Sequence, residues 1–188
     1  YKMFWARIGY TKRFEFLKLI FRKILKNKIP PSGKNEKRKL LFRNNFFFFI
    51  WINLAILDLI ISWVIIQRFY MFLNYTVICD RYIMDTEIDL KLNFPDFNYQ
   101  KNILWKVLLY LLPTQNAGFF LWISPSLSEE RSKLKKEPFP DDIETLKSRL
   151  YLYNHHHLVK TNKYCSIECT KPINVIFKSI KDRLDSQN

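Results

Sequence analysis

From Phe46 to Ile66 the chain reads FFFFIWINLAILDLIISWVII, 21 residues broken only by the polar Asn53, Asp58 and Ser62. Two structures accommodate such a run: a membrane-spanning helix, or a long helix buried inside an α/β domain. The basic flank KRKLLFR (37–43) suits the span. A central Asp costs about 2.5 to 3.5 kcal/mol on an insertion scale, while each Leu, Ile, Phe or Val contributes roughly −0.3 to −0.6, so the sum permits insertion. The core-helix option draws on position. The run continues through Gln67 and Arg68 and reaches the strand-like YTVIC within a few residues, as a crossover helix does. Asp58 and Ser62, four residues apart, share a helical face that suits a polar cleft, whereas Asn53 lies elsewhere.

Four short apolar runs read as strands: YKMFW (1–5), YTVIC (75–79), GFFLWI (118–123) and KYCSIEC (163–169). Each is apolar through most of its length, which predicts coverage on both faces, and helical stretches separate them. That alternation predicts a parallel sheet flanked by helices. Ile143, Leu146, Leu150 and Tyr153 recur at helical spacing after a cap-like Asp141, with Glu144 three residues on. A closing helix is expected after a Thr170 cap, with Pro172 in its first turn and Ile173, Ile176, Phe177, Ile180 and Leu184 on one side. NKIPPSGKNEKRK (27–39) reads as an exposed loop between helices.

With 188 residues, 48% of them hydrophobic, the chain is long and apolar enough for one domain, 1–188, with a sizeable core, which excludes a disordered chain. Its formal charge of +14 favours anionic partners: phosphorylated small molecules, nucleic acid or an acidic membrane surface. Cys79, Cys165 and Cys169 make neither an even disulfide framework nor a zinc quartet, and no secretory signal precedes them. A cytoplasmic setting is expected.

The strand YTVIC runs into Asp80 and Arg81. Side chains at the carboxyl end of a parallel strand project into the crevice where α/β folds bind ligands. There an Asp can hold a magnesium shell and an Arg can clamp a phosphate with its bidentate fork. The plain alternative is a structural ion pair.

In its context, VICDRYIMDTEIDL (77–90) resembles the Asp-Arg-Tyr segment of the thymidylate kinase family of P-loop nucleoside monophosphate kinases. Other segments are similar in the same order: FWARIG (4–9) to the family's second strand and a substrate-facing Arg, and GFFLWISPSLSEERSKLKKEP (118–138) to its fourth strand, helix and basic lid. SRLYLY (148–153) is similar to the Arg and Tyr of the following helix, and ECTKPINVIFKSI (168–180) to the last strand, the adenine-side loop and the closing helix.

The resemblance implies a three-layer P-loop kinase-type α/β fold. The implied activity moves the ATP γ-phosphoryl group to a nucleoside monophosphate, dTMP or a related acceptor, with Mg2+ as cofactor. Asp80 would sit near the metal, and Arg81 would hold the acceptor's phosphate. Arg7, Tyr82, Asp85 and Arg149 would face the acceptor. Arg131, Lys133, Lys135 and Lys136 would form a lid over 125–140 that closes on the transferring group. Lys133, Lys136 and Thr170 would serve the ATP side. Cationic lids act by electrostatic stabilisation and water exclusion.

Each of these residues also has a bland reading. ERSKLKK suits a solvated basic helix face, Arg7 can pair with a helix carboxylate, and Asp85 can cap the helix after the strand.

The chain departs from the family in two places. No G-x-x-x-x-G-K-[ST] occurs, and Ser32-Gly33-Lys34 lacks the first glycine and follows no strand. The expectation is a chain lacking its first strand and phosphate loop; the other option is a membrane-anchored or catalytically inactive relative using 46–66 as an anchor. Second, DTEIDL places Asp89 and Leu90 where the family positions its base, which leaves the acceptor open. A homodimer is open as well. Nucleic acid is not expected, because the aromatics sit in runs that read as buried.

His155, His156 and His157 do not suit one metal ion, since consecutive helical residues point about 100° apart. The cysteines read as core thiols, and Cys165 and Cys169, four apart on an extended strand, lie too far apart for a disulfide.

Overall fold

In the computed structural model, which describes residues 1–24, 42–135, 140–161 and 163–186, the chain divides into two units, Tyr1–Pro113 and Thr114–Asn188. The loop expected over 27–39 lies outside the described residues.

The first unit opens with strand β1 (Lys2–Trp5) and helix α1 (Lys12–Ile24). The apolar run then forms the middle of α2, one continuous helix over Asn45–Phe72 whose stretch Ile60–Ile66 is π-helical. Strand β2 (Val77–Asp80), helix α3 (Ile83–Asn93), a single 3-10 turn at Tyr99–Lys101 and helix α4 (Ile103–Leu111) complete the unit.

Asn44 starts α2 by accepting the N–H groups of Phe46 and Phe47 at 3.0 and 3.3 Å, and Asn102 starts α4 by accepting Trp105 N–H at 3.0 Å. Asn102 also donates to Asn53 at 3.1 Å, which ties α4 to α2. The inner face of α2 makes the core: Ile52, Ala55, Ile56, Leu59 and Trp63 are wholly buried, as are Ile88 and Leu90 of α3 and Leu108 of α4.

The second unit runs β3 (Gly118–Trp122), α5 (Pro125–Leu134), α6 (Ile143–Asn154), a short α7 (His157–Lys160), β4 (Tyr164–Glu168) and α8 (Ile173–Asp185). Ser124 and Pro125 begin α5, with Ser124 Oγ accepting Leu127 N–H. Among the described residues, Phe120, Tyr164 and Ile167 are the buried apolar side chains of this unit, and Phe120 stacks on Tyr153 of α6 at 4.9 Å.

The three-layer P-loop kinase-type fold, with one parallel sheet flanked by helices, is not what forms. The described residues are 63% helical, and the strands make two separate two-stranded sheets, β1 with β2 and β3 with β4. Both pairings are parallel, with Trp5 opposite Asp80 and Trp122 opposite Glu168. The physical reason lies in the strands' exposure. β1 and β2 alternate between half-buried and exposed positions, so Met3, Trp5 and Ile78 face solvent and the pair is covered on one face only. Apolar composition along a four-residue strand does not dictate two covered faces, and in the first unit the core burial is done by helices.

Two caps also differ from expectation. Asp142, not Asp141, accepts Thr145 N–H at 2.8 Å to begin α6, and α8 begins after Pro172 while Thr170 donates its hydroxyl to Glu168 at 3.0 Å.

Candidate functional site

The parallel pairing of β1 and β2 brings their carboxyl ends level, so Asp80 lies across from Trp5 and is exposed. Arg81 follows with φ of 71°, a left-handed conformation that a non-glycine residue adopts at a cost of about 1 to 2 kcal/mol. This turn drops the chain from the strand into α3. Asp85, on the first turn of α3, accepts Tyr82 N–H at 3.2 Å and lies 3.6 Å from the Arg81 guanidinium. Asp85 therefore caps its helix, one of its two expected roles, and holds Arg81 loosely at the helix start. Tyr82 points inward: it is buried, and its ring packs 4.9 Å from that of Trp63.

Arg7 lies just beyond the end of β1, and its guanidinium makes a two-pronged bond to Asp89 of α3, at 2.6 and 3.0 Å. Asp89 is 2% exposed. The helix carboxylate thus takes Arg7, and the acidic residue that marks the departure from the family is the one that takes it. A buried carboxylate of this kind needs its partner, because desolvation without a counter-charge costs several kcal/mol.

Asp58 and Ser62 do share a face, and the residues they meet were not legible beforehand. Thr11 Oγ1 donates to Asp58, and Arg13 reaches Asp58 Oδ1 at 3.2 Å and also donates to the Ser62 hydroxyl. Ser62 Oγ in turn donates back to the Asp58 carbonyl at 2.8 Å, beside the π-helical stretch. The signal that pointed here was the four-residue spacing of Asp58 and Ser62. Thr11 and Arg13 carried none, since each depends on a contact between distant segments.

The second unit holds the lid candidates. Arg131 on α5 donates to the Cys169 carbonyl at 3.4 Å, just past the end of β4, where Cys169 N–H closes on Trp122 O at 2.8 Å. Arg131 and Thr170 are therefore neighbours at the carboxyl end of the β3–β4 pair. Lys133 pairs with Glu129 one turn back at 3.2 Å, Lys135 is exposed at the end of α5, and Arg149 pairs with Asp141 at 3.2 Å. Lys136 lies outside the described residues.

The histidines do not share one helix. His155 ends α6, donating from Nδ1 to Tyr151 O at 2.8 Å, and His156 accepts Leu158 N–H at 3.3 Å to begin α7. All three cysteines are free thiols. They are half-buried rather than core groups; burial pushes the Cys79 thiol up to about 11 and raises Cys169 also, there opposed by the Arg131 charge.

No protein-family model matches this chain, and no curated protein or solved structure is significantly similar to it.

Proposed function

We propose that the carboxyl end of the β1–β2 pair binds the phosphate of a nucleoside monophosphate, the acceptor side of a phosphotransfer reaction of the nucleotide-kinase type. The observation that carries this reading is Arg81: a cation held in a strained left-handed turn at a parallel strand end, beside the exposed Asp80, with only a loose contact to Asp85. Strained non-glycine residues concentrate at ligand sites, where rigid surroundings hold them. A phosphate has the geometry to take the guanidinium fork from Asp85 in a bidentate grip.

Asp80 is the carboxylate that fits a magnesium ion, which when bound supplies charge neutralisation on phosphate oxygens. The donor nucleotide fits less well. A cradle for its phosphates needs open glycine backbone, and neither described glycine offers it. A Cβ on Gly9 would meet the Trp51 ring at 2.6 Å, and one on Gly118 would meet Tyr164 at 3.0 Å. No step through ATP follows from these residues. The second reading is phosphate binding by these residues without turnover.

Calorimetric titration of the chain with dTMP and the other nucleoside monophosphates tests the proposal. Arg81→Ala should weaken binding at least about tenfold, the scale of one lost charge-assisted contact. Absence of binding in the unsubstituted chain, or binding indifferent to Arg81, refutes it. Binding without product formation in the presence of ATP and Mg2+ selects the second reading.

A further inference from the structure

We propose that the outward face of α2 docks the protein flat on an anionic lipid surface, independently of the nucleotide reading above. Phe46, Ile50, Leu57, Ile61, Ile65, Phe69 and Phe72 line this face, exposed by 38% at Ile50 and up to 83% at Phe72. The π-helical stretch helps to align them. In a pure α-helix residues four apart drift by about 40° per step. A segment with i→i+5 bonds turns less per residue, so Leu57, Ile61, Ile65 and Phe69 return to one line. At about 42 Å for 28 residues, the stripe is far longer than the scattered apolar residues of an ordinary surface.

Two features select lipid as the occupant. The face carries no carboxylate: Asp58, the acid within α2, is turned inward onto Thr11 and Arg13. Exposed arginines stand near both ends of the stripe, Arg43 before the Asn44 cap and Arg68 in the last turns, the latter also donating to the Leu111 carbonyl at 2.8 Å. A second copy would bring another +14 against the first, whereas an anionic headgroup layer neutralises that charge.

The helix lies along the surface and does not cross it, because its other face is committed to the core. Ile52, Ala55, Ile56, Leu59 and Trp63 are wholly buried and Asp58 is paired, and a span would strip these contacts. With its inner face held by the core, α2 presents only its outward side to lipid, at the depth of about 5 to 10 Å where headgroups meet acyl chains.

The test is co-sedimentation of the full chain with phosphatidylcholine vesicles, with and without phosphatidylserine. Binding is expected to the phosphatidylserine vesicles, weakened by salt, released by an alkaline wash, and reduced about tenfold or more in the double variant Ile65→Ser, Phe69→Ser. Both side chains are exposed, so circular dichroism and thermal unfolding of the variant should match the parent. Three outcomes overturn the proposal. They are absence of sedimentation with either vesicle, binding unchanged in the double variant, and a dimer by ultracentrifugation that this variant dissociates, which would assign the face to a second copy. Resistance to the alkaline wash overturns the flat orientation and restores a span.

Discussion

The two units of this chain solve the burial problem differently. In Tyr1–Pro113 a single helix, α2, supplies a fully buried stripe, and α3 and α4 close over it with Ile88, Leu90 and Leu108. In Thr114–Asn188 none of α5, α6, α7 and α8 contributes a buried side chain among the described residues, and the enclosed apolar atoms belong to β3 and β4. The apolar run of α2 is covered on one side, whereas the helices that read as amphipathic, α6 and α8, are not fully covered on either. Ile173, Val175, Phe177 and Leu184 of α8 remain exposed despite their helical spacing. Periodicity identifies a face without naming its cover.

The sharpest way to break this contrast is a matched pair of truncations. Leu59→Ala removes a wholly buried side chain from α2 and should cost about 4 kcal/mol through lost transfer energy and a residual cavity. Leu150→Ala in half-buried α6 should cost no more than about 1 kcal/mol. Urea unfolding measures both, and equal costs would show that the second unit has a core of the same quality as the first.

A second prediction concerns the ion pair between Arg7 and Asp89. Arg7→Ala leaves Asp89 buried without its counter-charge and should destabilise by about 3 kcal/mol. Replacing both, with Arg7→Met and Asp89→Leu, should recover most of that loss, since the pair's desolvation cost disappears with it. Failure of the double variant to recover would mean that the pair contributes more than mutual neutralisation.

Much of this was legible in the sequence. The four strands form on the apolar runs that predicted them, β2 running one residue further to Asp80, and each pairs in parallel. Helices follow Asp142 and Pro172 within a residue or two of the expected starts. The extent of each sheet was not legible, because the number of neighbours a strand acquires depends on chain segments far away. The candidate site shows the same division. Asp80 and Arg81 are recognisable as a strand-end pair from local order alone. The choice of Arg7 for Asp89, 82 residues away, and of Arg13 for Asp58, is settled only by packing. Arg7 had two readings of equal standing, and the structure shows its pairing with a buried acid on α3.

Arg81→Gly separates conformation from function at the candidate site. Glycine adopts a φ of 71° without the steric cost that arginine bears, so the variant should match the parent's stability or exceed it by up to about 1 kcal/mol. Its nucleotide binding should fall as in Arg81→Ala. Thermal unfolding beside calorimetry reads both, and a stability loss above about 1 kcal/mol would mean that the Arg81 side chain, through Asp85, holds the turn together.

The smallest effect distinguishes the units by their thiols. Burial pushes Cys79 of β2 up to about 11, whereas at Cys169 burial raises the thiol and the Arg131 charge pulls it back. At about pH 8 the thiolate fraction of native Cys79 should be about a hundredfold below that of an ordinary thiol, and alkylation correspondingly slow. Cys169 should react faster than Cys79, and Arg131→Ala should slow it. Because the fold favours the protonated form of Cys79, its contribution to stability is intact below about pH 9, where an unfolded thiol ionises, and is lost as pH rises toward about 11. Mass-resolved iodoacetamide labelling of the native chain, beside the urea-unfolded chain as reference, gives the two rates. An Arg131→Ala chain in which Cys169 labels no more slowly would place the guanidinium too far from the sulfur to act on it.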